Sequence, residues 1–255
     1  MNSLLKSVFR VSIGVAVSVE LIGCFCVNSL MFHPVRRYDV SYPGYVDIGA
    51  DGTKIAAVTI GPEKGKKVIL YCHGNAEDAT GSMEYFKLAV GDEFTVAAVD
   101  YPGYGLSDGS PDEEGCYRVV HRLYDWLIGE RGFSPKDIIV VGFSIGTGPA
   151  VELAATKPVG GLVLQAPYLS APRIVTKVRV LPIDPFPNLK RIGDIACPLV
   201  VIHGTDDSII PFAHGKELFD LAPEPKTFVP VEGADHNDLI GVLGLDEYRK
   251  LLKAM

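Results

Sequence analysis

Several features that mark common classes of protein are missing from this 255-residue sequence. It has no run of basic residues, no internal repeat and no low-complexity tract, and its net charge is −7. A nucleic-acid partner is therefore not expected, because phosphate binding needs clustered lysine or arginine. Hydrophobic residues make up 47% of the chain and charged residues 22%, proportions that are typical of one globular domain.

Cysteine is scarce, and its spacing suits neither metal binding nor redox chemistry. The five cysteines, an odd number, are Cys24, Cys26, Cys72, Cys116 and Cys197. Without a CxxC pair they predict no zinc site and no disulfide framework. The glycines between residues 103 and 109 do not form a GxGxxG motif that opens a helix, so no dinucleotide is expected. The sequence thus predicts neither a metal nor a cofactor.

The N-terminus is the one long apolar stretch of the chain. Lys6 and Arg10 precede an apolar run from Val11 to Phe32, which is interrupted only by Glu20. A basic flank followed by an apolar run is typical of a signal peptide or a signal anchor. The run is just long enough to span a bilayer, although placing the charged Glu20 near the middle of the bilayer would cost a few kcal/mol of free energy. We predict a membrane anchor or signal segment at residues 1–32 and a catalytic domain at residues 33–255.

The kind of attachment and the side of the membrane stay open. Leu21–Cys24 resembles a bacterial lipoprotein cleavage box, in which the cysteine carries the lipid. Palmitoylation of Cys24 and Cys26 is the alternative in a eukaryote. A buried N-terminal helix of a soluble protein is a further alternative. The membrane alternatives all predict a membrane-associated protein.

Strands and helices alternate through the rest of the chain. The predicted strands are 38–48, 54–60, 67–72, 94–99, 138–142, 161–165, 199–203 and 227–231. The predicted helices are 82–90, 110–132, 147–157, 214–221 and 238–253, and the second of them is predicted to be capped by Ser110. This alternation predicts an α/β fold, with a mostly parallel eight-stranded sheet that carries helices on both faces. Functional residues of such sheets lie at the carboxyl ends of the strands.

A nucleophile motif, G-x-S-x-G, occurs twice, at Gly105–Gly109 and at Gly142–Gly146. The motif has meaning only where a strand runs straight into the serine and a helix leaves straight after it. Ser144 has both, since DIIVVGF precedes it and TGPAVELAATK follows. Ser107 has neither and is predicted to be a loop residue. Ser144 is therefore the predicted nucleophile.

A serine hydroxyl needs a base to remove its proton, and His236 is the predicted base. It lies in a polar loop between the last strand and the last helix. His73 and His203 each end a strand as His-Gly and are interpreted as turn residues. His121 and His214 are interpreted as helix residues with structural roles. The order Ser…Asp…His matches that of nucleophile-elbow hydrolases.

The base needs a carboxylate to orient it, and Asp207 is preferred. Asp207 follows its strand after a short turn, which has to be complete before the side chain can point at the histidine. Asp206 is the alternative, and Asp235 is less suitable because adjacent side chains usually diverge. The backbone N–H groups of Asn75 and Ile145 are the candidate oxyanion donors, the latter at a helix N-terminus.

These motifs, in this order, resemble the α/β-hydrolase superfamily of serine hydrolases, and most closely its small, N-terminally anchored branch of esterases and thioesterases. They are HGNA at 73–76, DYPGYGLSDGSP at 100–111, GFSIG at 142–146, HGTDDSIIP at 203–211 and GADHND at 233–238. The resemblance covers the chain from Met31 and implies an α/β-hydrolase fold with Asp207 as the triad acid. The chain departs from the family's usual residues at Phe143, Ile145 and Asp235.

The resemblance implies a lid between the sixth and seventh strands, here short and proline-rich, at about 167–197. We therefore expect a serine hydrolase that cleaves carboxylic esters or thioesters through an acyl-enzyme, with a small-molecule or acylated-protein substrate near a membrane. A serine peptidase on the same scaffold is one alternative. A non-catalytic ligand-binding protein is the other, although such proteins usually lose a triad member.

Overall fold

The computed structural model describes residues 31–62, 67–175 and 184–255. The chain divides into two compact units, Met1–His33 and Pro34–Met255. Apart from its last two residues, the predicted membrane segment lies outside the described residues, as do Cys24 and Cys26. Within the described ranges, no helix combines the length and the apolar composition that a membrane span requires.

The second unit is built on an eight-stranded sheet with the order β1-β2-β4-β3-β5-β6-β7-β8. The strands are β1 (Tyr45–Asp47), β2 (Ala56–Ile60), β3 (Lys67–Cys72), β4 (Phe94–Val99), β5 (Ile138–Phe143), β6 (Gly161–Gln165), β7 (Leu199–Gly204) and β8 (Lys226–Val231). The six strands β4, β3, β5, β6, β7 and β8, which are neighbours in this order, are all parallel. Strand β2 is antiparallel to both β1 and β4. The predicted fold, a mostly parallel eight-stranded sheet, is confirmed.

Helices connect the strands. They are α1 (Met83–Val90), α2 (Glu113–Gly129), α3 (Thr147–Thr156), α4 (Ala171–Val175), α5 (Asn188–Arg191), α6 (Phe212–Leu221), α7 (Leu239–Leu243) and α8 (Leu245–Lys253). Single 3-10 turns occur at Gly91–Glu93, Pro135–Asp137, Ser144–Gly146 and Ile192–Asp194. Both α4 and α5 belong to the predicted lid, of which residues 176–183 lie outside the described residues.

The sheet buries side chains on both faces because parallel strands are covered on both sides. On one face Ile69 and Tyr71 of β3 belong to a core with Phe86 of α1 and Tyr248 of α8. Helices α2 and α3 contact each other and also β3. Leu70, whose side chain points to the opposite face of the sheet, is also fully buried. The sheet is therefore a rigid base whose carboxyl edge carries the loops of the site.

Three of the predicted elements differ in the structure. The long strand expected at 38–48 is reduced to Tyr45–Asp47, and a turn at Asp51-Gly52, with positive φ at both residues, precedes β2. Helix α2 is capped by Asp112, whose carboxylate accepts from the Gly115 amide, and not by Ser110. The closing helix is broken at Gly244, where φ is 87°.

The turn after β5 packs directly against the end of β3. A Cβ atom at Gly146 would lie 2.1 Å from the Cys72 carbonyl oxygen and 2.6 Å from that of His73. No rotamer change relieves such contacts because the atoms belong to the backbone. The start of α3 therefore reaches the β3 edge only with glycine at this position.

Gly146→Ala should lower the free energy of unfolding by about 1–3 kcal/mol or more, because the methyl group overpacks a backbone contact. Urea unfolding would measure the change. Gly129→Ala is the matched control, since a Cβ at the end of α2 meets nothing within 4 Å. Equal stability of the two variants would contradict the close approach described here.

Candidate active site

Ser144 occupies a strained turn between β5 and α3. Its φ is 51°, a left-handed value that is uncommon outside glycine. The strand ends at Phe143, the serine begins a 3-10 turn, and α3 follows at Thr147. This strand–turn–helix geometry is that of a nucleophile elbow, which presents a hydroxyl above the sheet edge.

Ser107, the other serine in a G-x-S-x-G motif, has a structural role. Its hydroxyl donates to the carbonyl oxygen of Asp100 at 2.9 Å and accepts from the amide of Ala56 at the same distance. The first bond closes the loop after β4 onto its own start, and the second ties that loop to strand β2. The prediction that Ser107 is a loop residue is confirmed.

His236 joins the predicted nucleophile and the predicted acid. Its Nε2 lies 2.9 Å from the Ser144 Oγ, and its Nδ1 lies 2.9 Å from Asp207 Oδ2. The ring is only 4% exposed. When Nδ1 carries the proton and donates it to the carboxylate, Nε2 is unprotonated. Nε2 can then accept the proton of the serine hydroxyl. The fold thus brings together three side chains from three separate loops.

Asp207, rather than the alternative Asp206, faces the histidine. The Asp207 side chain is fully inaccessible, and its Oδ1 accepts from the amides of Ile209 and Ile210 at 2.9 and 2.7 Å. Asp206 is exposed, and its carboxylate has a 3.4 Å contact with the Thr205 hydroxyl. Position 207 is therefore the one from which a carboxylate reaches His236.

The surroundings of Asp207 favour its charged form. Burial by itself would raise the pKa of this carboxyl, but hydrogen bonds from His203, His236 and the Ile210 amide outweigh burial and hold the pKa well below its usual range. Asp207 therefore stays ionised at neutral pH and can stabilise a histidine cation.

His203 supports Asp207, a role that the sequence interpretation missed. Its Nε2 lies 3.4 Å from Asp207 Oδ2 and 3.0 Å from the Ile210 carbonyl oxygen, and the side chain is fully buried. The only sequence signal was its position four residues before Asp207. Spacing alone does not show that the turn folds back onto the strand end.

Asn75 and Ile145, the candidate oxyanion residues, belong to neighbouring turns at the β3 and β5 ends. The contact of Gly146 with the Cys72 and His73 carbonyls brings the two turns together. Phe143 packs on Gly74, where a Cβ would lie 2.8 Å from the ring. That the Asn75 and Ile145 amides bind an oxyanion stays a prediction.

Two tyrosines of the YPGYG stretch support the turn that contains Asn75. The Tyr101 hydroxyl donates to the His73 carbonyl oxygen at 3.0 Å, and the Tyr104 hydroxyl donates to Asn75 Oδ1 at 2.7 Å. Both rings also pack against the His73 ring. The sequence did not predict these contacts, because nothing local shows which distant backbone the YPGYG stretch contacts.

Asp100 anchors the start of the same loop. Its carboxylate accepts from the Tyr38 hydroxyl and from the amides of Ala79 and Leu106, at 2.5, 2.7 and 2.9 Å. Burial raises the pKa of this carboxyl above its usual value, while the three donors act in the opposite direction. The loop that supports Asn75 is therefore itself held at a buried polar centre.

Asp235 links the two loops that contain Asp207 and His236. Its Oδ1 accepts from the Ser208 amide at 2.8 Å, from the Ser208 hydroxyl at 2.8 Å and from the His236 amide at 2.7 Å. The Ser208 amide, followed by the His236 amide and the Ser208 hydroxyl, lowers the pKa of this carboxyl. Asp235 thus positions the two loops through Ser208 and the His236 amide. As expected from the sequence, the carboxylate that contacts the imidazole is Asp207 and not Asp235.

Among the described residues, no three histidine, cysteine, aspartate or glutamate side chains are arranged to hold a metal ion. The three cysteines of the described ranges, Cys72, Cys116 and Cys197, are buried thiols. Burial raises the pKa of Cys197 to about 11, so its thiol stays protonated at neutral pH. The reactive groups described at this edge of the sheet are the serine, the histidine and the carboxylate.

Two cavities differ in their relation to the site. A groove of about 310 Å³ is lined by His236, Phe143 and residues at the starts of α1 and α7. A cavity of about 390 Å³ is lined by residues of β2, α1 and β4, among them Ile60, Lys87 and Phe94. The larger one contains none of the three linked side chains, so the smaller one is the substrate-side candidate.

Comparison with known proteins places these features in a family. The family model described as alpha/beta hydrolase fold matches residues 67–186. Alpha/beta hydrolase domain-containing protein 17B of Homo sapiens is 37% identical over 179 residues, which are 68% of this chain and 62% of that protein. Protein 17C of Mus musculus is 35% identical over 175 residues, 67% of this chain and 54% of that protein. The chain therefore spans less than two thirds of these relatives.

Solved structures share the fold. An alpha-beta hydrolase from Vibrio vulnificus has a TM-score of 0.71 at 18% identity, covering 92% of this chain and 94% of its own. An esterase from Pyrococcus furiosus has a TM-score of 0.67 at 19% identity, covering 87% and 97%. At these identities the likeness concerns the fold alone.

Asp235→Ala should slow covalent labelling of Ser144 by a fluorophosphonate on the order of tenfold, because the loops of Asp207 and His236 lose the two hydrogen bonds from Ser208 that join them, and the His236 amide loses its acceptor. Asp235→Asn keeps an acceptor oxygen and should label within about threefold of the wild type. Labelling rates, together with thermal unfolding of each variant, would measure this. A wild-type rate in Asp235→Ala would show that the link does not position the base.

Proposed function

This chain belongs to the α/β-hydrolase family, and we propose that it is a serine hydrolase that cleaves carboxylic esters or thioesters through an acyl-enzyme intermediate. One observation carries the proposal, the continuous hydrogen-bonded chain from Ser144 Oγ through both nitrogens of His236 to Asp207. Such a chain makes a weak nucleophile reactive without a metal or a cofactor.

Each residue has a defined part in the proposed reaction. His236 removes the Ser144 proton as Oγ attacks the acyl carbonyl carbon, and the N–H groups of Asn75 and Ile145 stabilise the oxyanion. The histidine then gives the proton to the departing alcohol or thiol. Water repeats the sequence on the acyl-enzyme, which releases the acid and restores the serine. Asp207 stabilises the histidine cation in both halves.

The proposal extends to acyl groups of lipid character at a membrane surface. The basic flank and the apolar run at residues 11–32 support attachment to a membrane, through insertion or through lipid on Cys24 or Cys26. The names of the two relatives describe them as hydrolase domain-containing proteins and do not specify a substrate. Esters and thioesters are preferred over peptides because the short lid region adds no separate domain that would hold a peptide terminus.

Fluorophosphonate labelling tests the nucleophile. The wild type and Ser107→Ala should label, whereas Ser144→Ala should not, because of these two serines it is Ser144 that has a histidine at its hydroxyl. Ester hydrolysis should fall at least about a thousandfold in Ser144→Ala and stay near wild type in a folded Ser107→Ala. A folded wild type that does not label would contradict the proposal and would favour a non-catalytic binding protein.

Acyl esters of increasing chain length, presented in lipid vesicles to the full chain, test the substrate class. Hydrolysis should rise with chain length, because each buried methylene adds about 0.8 kcal/mol of binding, and the protein should sediment with the vesicles. A preference for acetyl esters alone would rule out a lipid-like acyl group. Protein that stays in the supernatant would rule out membrane attachment.

A further inference from the structure

The groove beside His236 has a composition that limits what can occupy it. It is lined by Phe143, the residue before Ser144, and by His236, whose Nε2 lies 2.9 Å from the Ser144 Oγ. One wall comes from the start of α1 and the loop before it, with Glu77 and Ser82, and the other comes from residues 237–241. The groove is therefore continuous with the reactive histidine and lies between two loops of the proposed site.

The chemistry of the base indicates which part of a substrate lies in this groove. In acyl transfer to serine, the histidine that accepts the serine proton later gives it to the leaving group. The leaving oxygen or sulfur must consequently approach His236 Nε2 within hydrogen-bond distance. Because His236 lines the groove, a substrate whose leaving atom lies at Nε2 can extend the remainder of its alcohol or thiol into it.

Carboxylates give the groove a negative character. Glu77 and Asp238 both line it, whereas no lysine or arginine is found among its described lining residues. The His236 ring lies near Phe143, with centroids 5.1 Å apart, and Tyr71 and Tyr85 add two further aromatic rings to the lining. Carboxylates together with aromatic faces attract cations.

Glu77 retains the capacity to accept a hydrogen bond from a ligand. Its Oε2 accepts from the Gly74 amide at 2.8 Å and from the Tyr71 hydroxyl at 3.2 Å. Its Oε1 has a long contact of 3.5 Å with the Ser82 hydroxyl. The carboxylate is thus held in place through one oxygen, while the other keeps lone pairs available to a donor in the groove.

We propose that this groove selects a leaving group that carries a positive charge, that is, an alcohol or thiol with an ammonium group. The inference rests on the proposed serine hydrolase activity and adds to it the class of leaving group. A leaving group with a carboxylate or phosphate is disfavoured, because it would face Glu77 and Asp238 with no cation among the described lining residues.

Three thioesters with one common acyl group test the proposal on the full-length protein. Their thiols are thiocholine, its uncharged analogue 3,3-dimethylbutane-1-thiol, and 3-mercaptopropionate. Each kcat/KM is divided by the rate of hydroxide-catalysed hydrolysis of the same thioester, which removes differences in intrinsic reactivity. The corrected value for thiocholine should exceed that of the uncharged analogue about three- to tenfold, and mercaptopropionate should be the poorest.

Glu77→Gln assigns the preference to the groove. The amide keeps an oxygen for the Gly74 amide but removes the charge, so the ratio of cationic to uncharged substrate should fall to near one. Asp238→Asn is the second variant and should lower the ratio as well, which keeps the test decisive if Glu77→Gln does not fold. Glu217→Gln, at an exposed position of α6, is the matched control and should keep the wild-type ratio.

The outcomes separate this inference from the proposed function. Hydrolysis of all three thioesters at equal corrected rates would overturn the leaving-group inference and leave the serine hydrolase proposal intact. A cationic preference that survives in both Glu77→Gln and Asp238→Asn would also overturn it, because the carboxylates would not be its cause. Hydrolysis of none of them, in a protein that is folded, would overturn the inference together with the ester and thioester proposal.

Discussion

The contact between the turn after β5 and the end of β3 determines the geometry of the whole site. Gly146 packs on the backbone carbonyls of Cys72 and His73, and the nearby Ser144 has a backbone φ in the left-handed region. Backbone atoms cannot move aside as a side chain can, so the serine and the Asn75 turn are fixed relative to each other. A strained residue of this kind persists only where the surrounding packing determines it.

Successive polar contacts support the reactive residues around that contact. Asp100 holds the loop after β4, and the tyrosines of that loop hold the Asn75 turn. On the other side, His203 and two backbone amides hold Asp207. Catalytic geometry tolerates little displacement, so buried hydrogen bonds behind the reactive groups are as necessary as the groups themselves.

The charges of the site are arranged by depth. Asp207 is inaccessible and is stabilised as an anion by donors on every side, which suits a group that must meet a transient histidine cation. Glu77 is partly exposed and Asp238 is exposed, and both line the groove that we propose for the leaving group. A buried carboxylate thus stabilises the histidine base, whereas the more exposed carboxylates are proposed to select the substrate.

The sequence determined the class of fold, the order of the strands along the chain, and the serine that follows β5. These follow from local patterns, namely apolar runs of strand length, helix periodicity and a strand–glycine–serine–helix junction. It also gave His236 and Asp207 as candidates, because residues at the carboxyl ends of parallel strands converge at one edge. It misassigned the cap of α2 and did not anticipate the break at Gly244, since several residues near a helix end can satisfy the same amides.

The sequence favoured Asp207 and left Asp206 as an alternative, and the tertiary structure showed that Asp207 is the one that faces His236. Only the tertiary structure revealed the contacts of His203, Tyr101, Tyr104 and Asp235. Each of these roles is a contact between segments that are distant along the chain or folded back on themselves, and such a contact has no periodic signal. The direction of a side chain in a turn depends on a few backbone angles that distant packing fixes. For this reason the residue types of the site could be read from the sequence, whereas their mutual support required the folded chain.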